Sequence, residues 1–251
     1  MERSAYAEEL QVFAALRQAN ADLGDPIEIS RQGGEILVSG TGVPHQHQQQ
    51  LHALLDRMPH VTVRFSDPSL PASNPPAQEP VTRDAAGPEK PKYPARLEAR
   101  LGGRPQFERF SGQIMDWTDS VMSRVYALRR LAQQFPADAE AQMSAEERHN
   151  LHALAQEHVT ALAKDLRKIT NTVNPVLAGI GGRAGATSTP DAPTWQPATE
   201  RLFSSGRRVE TLLANVLGVS ATVTGDDVAS QLLTALAQFS VETEHYAGLV
   251  Q

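Results

Sequence analysis

Ile27-Glu-Ile-Ser-Arg-Gln-Gly-Gly34-Glu-Ile-Leu-Val-Ser-Gly40 decides how the N-terminal part of this chain is built. Ile27 and Ile29 alternate with Glu28 and Ser30, and Ile36 and Val38 alternate with Leu37 and Ser39. A period of two is the strand pattern, because successive side chains leave opposite faces of the pleat. Gly33-Gly34 between the two runs accepts the positive φ angles of a tight hairpin turn. Upstream, Tyr6, Leu10, Phe13 and Leu16 share one face of a helix expected from Ser4, its N-cap, to Leu23, where Gly24-Asp25-Pro26 stops it. Downstream, Pro44 opens a helix with Leu51, Leu54, Leu55 and Met58 as its apolar positions. Val61, Val63 and Phe65 then alternate with Thr62 and Arg64 as a third strand. The order α-β-β-α-β describes one module over residues 1–66, with two helices covering one face of a three-stranded sheet.

From residue 67 to 105 the composition changes. Prolines recur and large apolar residues are few. A segment that buries so little cannot offset its ordering entropy, so it reads as an extended linker. Residues 106–251 return to helical periodicity. Phe107, Phe110, Ile114, Trp117 and Val121 step by three and four, and the stripe resumes through Val125, Leu128, Ala132 and Phe135 before Pro136. Ser144-Ala-Glu-Glu147 is a capping box opening a second helix. Its seam is Val159, Leu162, Leu166, Ile169, Val173 and Val176, with Pro175 expected to kink or end it. Residues 179–193 read as a flexible loop. A third helix carries Trp195, Ala198, Leu202, Val209, Leu212 and Val216. A fourth, from about Asp226, carries Ala229, Leu232, Leu236, Phe239, Tyr246 and Val250. The expected fold class is α+β, a small α-β-β-α-β module plus a mainly α region of long helical hairpins or a four-helix bundle.

Composition narrows function. The chain has 251 residues, a formal net charge of -6 and no basic stripe interleaved with aromatics, which argues against a nucleic-acid partner. Without cysteine it has no disulfide, thiolate metal site or thiol nucleophile. No apolar run is long enough for a membrane span. Glu8 and Glu9 precede any apolar run, so the N-terminus does not read as a secretory signal. The expectation is a soluble protein, cytoplasmic or the soluble portion of something longer.

The residues with chemical potential have simpler explanations. His45, His47 and His52 lie in a Gln-rich helix start, and His149, His152 and His158 lie along a helix. Neither set has the frame of a zinc site, and solvated surface is the expectation. Gly179-Ile-Gly181-Gly-Arg-Ala184 matches a relaxed dinucleotide loop, but it follows a helix rather than a strand, so it reads as helix termination. Glu8-Glu9, Glu146-Glu147 and Asp226-Asp227 each fall at a helix start, where acids offset the helix dipole. Trp117 and Trp195 lie on apolar stripes and are expected in the core. No catalytic residue, cofactor or metal is assigned and no enzyme is expected. The candidate interaction surface is Gln46, Gln48, Gln49 and Gln50, whose amides exchange water for a partner's hydrogen bonds, together with the edges of the small sheet.

Residues 25–66 resemble the BON family: a strand, a glycine turn, a strand ending Leu37-Val-Ser-Gly40, a helix, and a last strand at Val61-Thr-Val63. Pro59-His60 stands where that family usually has glycine before the last strand. The resemblance implies a non-catalytic module, usually extracytoplasmic in bacteria, that binds membranes or protein partners. The whole chain is similar to the extracytoplasmic region of bacterial membrane-anchored regulators of the anti-sigma-factor type. That likeness implies a periplasmic, signalling role with a protein or envelope partner. The competing expectation is a structural or adaptor protein forming a homo-oligomer through its long helices.

Overall fold

The computed structural model describes residues 5–67, 92–220 and 227–251. The chain forms two compact units divided between Pro91 and Lys92. The first contains α1 (Ala5–Gln18), β1 (Ile27–Gln32), β2 (Glu35–Thr41), α2 (His45–Leu55) and β3 (Val61–Ser66). This is the α-β-β-α-β order read from the sequence.

The sheet runs β1-β2-β3. β1 and β2 are antiparallel and close on the pair Gln32↔Glu35, with Gly33 and Gly34 at φ 59° and 92°. Two consecutive positive φ values fit the two-residue turn whose twist matches the strands. β3 lies parallel to β2 from Ile36↔Val61 to Thr41↔Ser66, so α2 is the crossover. Gly40 is required where the chain leaves β2: a Cβ there would lie 2.6 Å from the Pro26 carbonyl oxygen and 2.7 Å from Val43. Val12 and Leu16 of α1, Ile27, Ile36 and Val38 of the strands, and Leu51 and Leu55 of α2 form one core.

Two expectations for α1 change. It ends at Gln18 rather than Leu23. Asn20 takes φ 53°, while the Ala21 and Asn20 amides return to the carbonyls of Leu16 and Arg17. This left-handed cap satisfies the last carbonyls before Gly24 is reached. Glu8 and Glu9 do more than offset a dipole. Both are buried, Glu9 accepting from Arg31 of β1 and Glu8 bonding His60 before β3 at 3.0 Å, so they pin the helix to the sheet. Ser4 lies outside the described residues.

The second unit contains α3 (Lys92–Leu101), α4 (Arg104–Gln134), α5 (Ala137–Ala141), α6 (Ala145–Ala178), α7 (Trp195–Val216) and α8 (Val228–Leu249). The expected linker therefore does not extend to 105: residues 92–101 are helical, anchored by the fully buried Leu97. Residues 68–91 lie outside the described residues. Around the bundle the long helices succeed one another as α4, α6, α8, α7. α5 turns α4 back into an antiparallel α6. A long connection then carries the chain along α8, so that α6 and α7, on opposite corners, run the same way. Every neighbouring pair of long helices is antiparallel, as bundle packing favours.

The seams hold with local shifts. In α4 the buried line passes through Ile114, Thr118, Val121, Val125 and Leu128, and Trp117 is half-exposed beneath the Lys168 ammonium, 5.8 Å from its ring centre. Thr118 enters the core because its hydroxyl donates to the Ile114 carbonyl at 2.7 Å, which removes the cost of burying it. Trp195 is buried, as expected. In α6, Leu177 rather than Val176 occupies the last core position, and Pro175 does not end the helix. The missing N–H leaves the carbonyl of Asn171, an exposed residue, without its helical donor, and the carbonyls of the last turn are capped. Gly182 donates to Leu177 and Gly181 to Ala178, with Gly181 at φ 97°.

Candidate functional site

The predicted glutamines sit at the start of α2. Gln48 is half-buried and donates to the Val43 carbonyl at 2.8 Å, so it fixes the helix start. Gln46, Gln49 and Gln50 are exposed, and with Ala53 they occupy one face by the i, i+3, i+4, i+7 rule. The histidines around them are held by carboxylates, His47 by Asp25 at 2.6 Å and His52 by Asp56 at 3.0 Å. The result is an exposed face of neutral amides.

The strongest polar cluster lies elsewhere, at the end of the bundle where α5, the start of α6, the start of α7 and the end of α8 meet. Glu140 of α5 accepts from Trp195 Nε1 at 2.8 Å, Gln196 Nε2 at 2.6 Å and His152 Nε2 at 2.7 Å. Burial pushes its carboxyl upward, but the hydrogen bonds from Trp195, His152 and Gln196 outweigh this and hold it below the usual carboxylate range. A cleft of about 330 Å³ opens beside it, lined by Ala137, Ala141, Arg148, Pro193 and Leu249. Deeper in α8, burial raises the Tyr246 phenol well above its ordinary value. A carboxylate saturated by three donors is a weak base and a weak nucleophile. Its geometry ties α5 to α6 and α7.

The sequence reading did not find Glu140 or Gln196. α5 has five residues, too few for any periodic signal, and its partners are 12 to 56 positions away.

The other candidates disperse. His149 is exposed while His152 turns to Glu140, so the pair does not converge. His158 is buried, contrary to the solvated expectation for the histidines. Among the described residues no group of three or more His, Asp or Glu could hold a metal. Glu146 is exposed and Glu147 completes the capping box with Ser144, whose backbone N–H donates to Glu147 at 2.7 Å. Asp226 lies outside the described residues.

The connection from 179 to 194, expected as a flexible loop, has neither strand nor long helix. It is a strap laid along α8. The Arg183 and Gly185 amides donate to Ser230 and Thr234 at 3.0 and 2.7 Å. Gln238 accepts from the Ser188 N–H at 2.7 Å and donates to its carbonyl at 3.2 Å, and His245 donates to the Ala192 carbonyl at 2.9 Å. The first step is geometric: from 183 to 185 two extended residues span about 6.6 Å, close to the roughly 6 Å of the four helical residues from 230 to 234. Ser230, Thr234 and Gln238 recur every four residues on α8 but were not among the expected positions, and the strap they hold has no pattern of its own.

Among the described residues no helix is long and apolar enough to cross a membrane. No family model matches this chain, and neither the curated proteins nor the solved structures provide a match.

Proposed function

We propose that this chain is a non-enzymatic interaction or sensory region of a bacterial envelope or signalling system, placed outside the cytoplasm and acting through its N-terminal module. The observation that carries this is the contrast between the two units. The prominent polar groups of the bundle, Glu140 with its three donors and the row on α8, are consumed by internal bonds. The amides of Gln46, Gln49 and Gln50 stand on an exposed helix face of a unit with its own core. Neutral amides suit a partner rich in backbone or polar side-chain groups. The module also holds five Lys or Arg against nine Asp or Glu over residues 1–67. That balance opposes an anionic membrane surface and favours a protein. The BON resemblance of residues 25–66 supports the same role and the extracytoplasmic placement.

The adaptor reading, with oligomers formed through the long helices, has less support. Those helices spend their apolar stripes on one another, and among the described residues only Tyr126 and Val219 are exposed large apolar side chains. The test uses residues 1–67 and 92–251 as separate proteins, each checked for folding by circular dichroism. Each is screened against envelope extract and anionic vesicles. Saturable retention of an extract protein by 1–67 is the expected result. Binding confined to 92–251 would refute the assignment, and vesicle binding by 1–67 would replace the protein partner with a membrane.

A further inference from the structure

β3 lies at an edge of the sheet β1-β2-β3. The Ile36 N–H donates to the His60 carbonyl and the Gly42 N–H to the Ser66 carbonyl. With the parallel register of β2 and β3, this turns the backbone groups of Thr62, Arg64 and Ser66 toward β2. Those of Val61, Val63 and Phe65 therefore point away from the sheet, where no further strand pairs among the described residues. Among the described residues, of these groups only the Val61 N–H has another partner, the Met58 carbonyl at 3.3 Å. The side chains of Val61, Val63 and Phe65 are half-buried on the core face beside Leu54 and Met58, an apolar row incompletely covered at the edge. Thr62, Arg64 and Ser66 are exposed on the opposite face. Edge strands are commonly protected by charge or proline, and the core-facing row of β3 has neither. The other edge, β1, ends in the polar run Ser30-Arg31-Gln32.

We infer that the protein self-associates by antiparallel pairing of β3 with β3 of a second copy, centred on Val63. This goes beyond the function proposed above and does not depend on it. Backbone parity selects the register. Only odd-numbered residues of β3 offer outward N–H and C=O groups, so they must form the hydrogen-bonded pairs. Centring on Val63 pairs 61 with 65, 63 with 63 and 65 with 61, which engages all three outward-facing residues, with the Val61 N–H kept by Met58, and lays the two apolar rows side by side. Moving the centre to Arg64 would shorten the ladder and oppose Arg64 to Arg64. Moving it to Thr62 would shorten it and strand Phe65. On the solvent face, the chosen register sets Thr62 against Arg64 twice, with no like-charge contact. A two-fold axis through Val63 makes this contact closed and self-complementary.

Sedimentation velocity of the full chain across the micromolar range should show a monomer–dimer equilibrium. Thr62→Glu creates two Glu–Arg pairs per dimer and should tighten it about fivefold, while Thr62→Arg should weaken it about fivefold. Combining Thr62→Arg with Arg64→Glu should restore it. Both positions are exposed, and circular dichroism verifies that the fold is kept. The chain has no cysteine, so Val63→Cys provides a clean cross-link. Opposed residues in a hydrogen-bonded antiparallel pair lie about 5.5 Å apart at Cα, within disulfide reach. Oxidation should join Val63→Cys chains and leave Ser66→Cys chains separate. A monomer at every concentration overturns the inference. So does a dimer indifferent to the charge at position 62, or equal cross-linking at 63 and 66. None of these outcomes bears on whether residues 1–67 retain a partner.

Discussion

Replacing Leu166 with Ala should destabilise the helical unit by about 2–5 kcal/mol. Leu166 lies mid-way along α6 and is 2% exposed, on the seam with Leu162 and Ile169. The change removes three carbons. At about 0.8 kcal/mol for each buried group, their transfer alone accounts for roughly 2 kcal/mol. The cavity left behind adds up to about as much again, because α6 is held between α4 and α8 and cannot collapse freely. Alanine costs nothing in helix propensity, so the loss reports packing. Both tryptophans of the chain, Trp117 and Trp195, belong to residues 92–251. Tryptophan fluorescence during urea unfolding therefore follows this unit alone. With a slope of about 2 kcal/mol per molar, the midpoint should fall by about 1–2.5 M at unchanged slope. A change within about 0.5 kcal/mol would mean that the seam is not a core, and the bundle packing described above would be wrong.

Glu140→Gln should cost about 1–3 kcal/mol, since three donors lose their carboxylate. The folded carboxyl lies below its unfolded value, so its stabilisation is present above the unfolded pKa of about 4.3 and is lost as pH falls through the folded one. The difference between Glu140→Gln and the parent should accordingly be largest near neutrality and shrink below about pH 4; a pH-independent difference would contradict the charge argument. Gln238→Ala removes two bonds from the strap and should speed tryptic cleavage after Arg183 about tenfold, with the midpoint of global unfolding much less affected. Ser144→Ala should lower stability by about 1 kcal/mol through loss of the capping box, measured by the same urea titration.

What was legible in the sequence depended on repetition. Period-two alternation at Ile27–Ile29, Ile36–Val38 and Val61–Phe65 yielded all three strands, and the glycine pair yielded the hairpin. Steps of three and four yielded the four long helices. Features set by a single distant contact were not legible. α1 stops at Gln18 because its last carbonyls find partners in the Asn20 and Ala21 amides, a local energy that Gly24-Asp25-Pro26 conceals. Trp117 yields the core to Thr118 because the threonine hydroxyl is satisfied within its own helix. α3 hid among prolines, since its anchor is one leucine, Leu97. The amides of Gln46, Gln49 and Gln50 were legible as a polar run, while the different role of Gln48 needed the geometry of Val43.

The most direct test of the proposed function replaces Gln46, Gln49 and Gln50 together with Ala in the full chain. Alanine is the better helix former, so α2 should keep its helicity and the module its fold. Binding to the envelope protein retained by residues 1–67 should weaken at least about tenfold, as expected when several interfacial hydrogen bonds are removed. Unchanged binding by the folded triple variant would contradict the account and place the functional surface elsewhere.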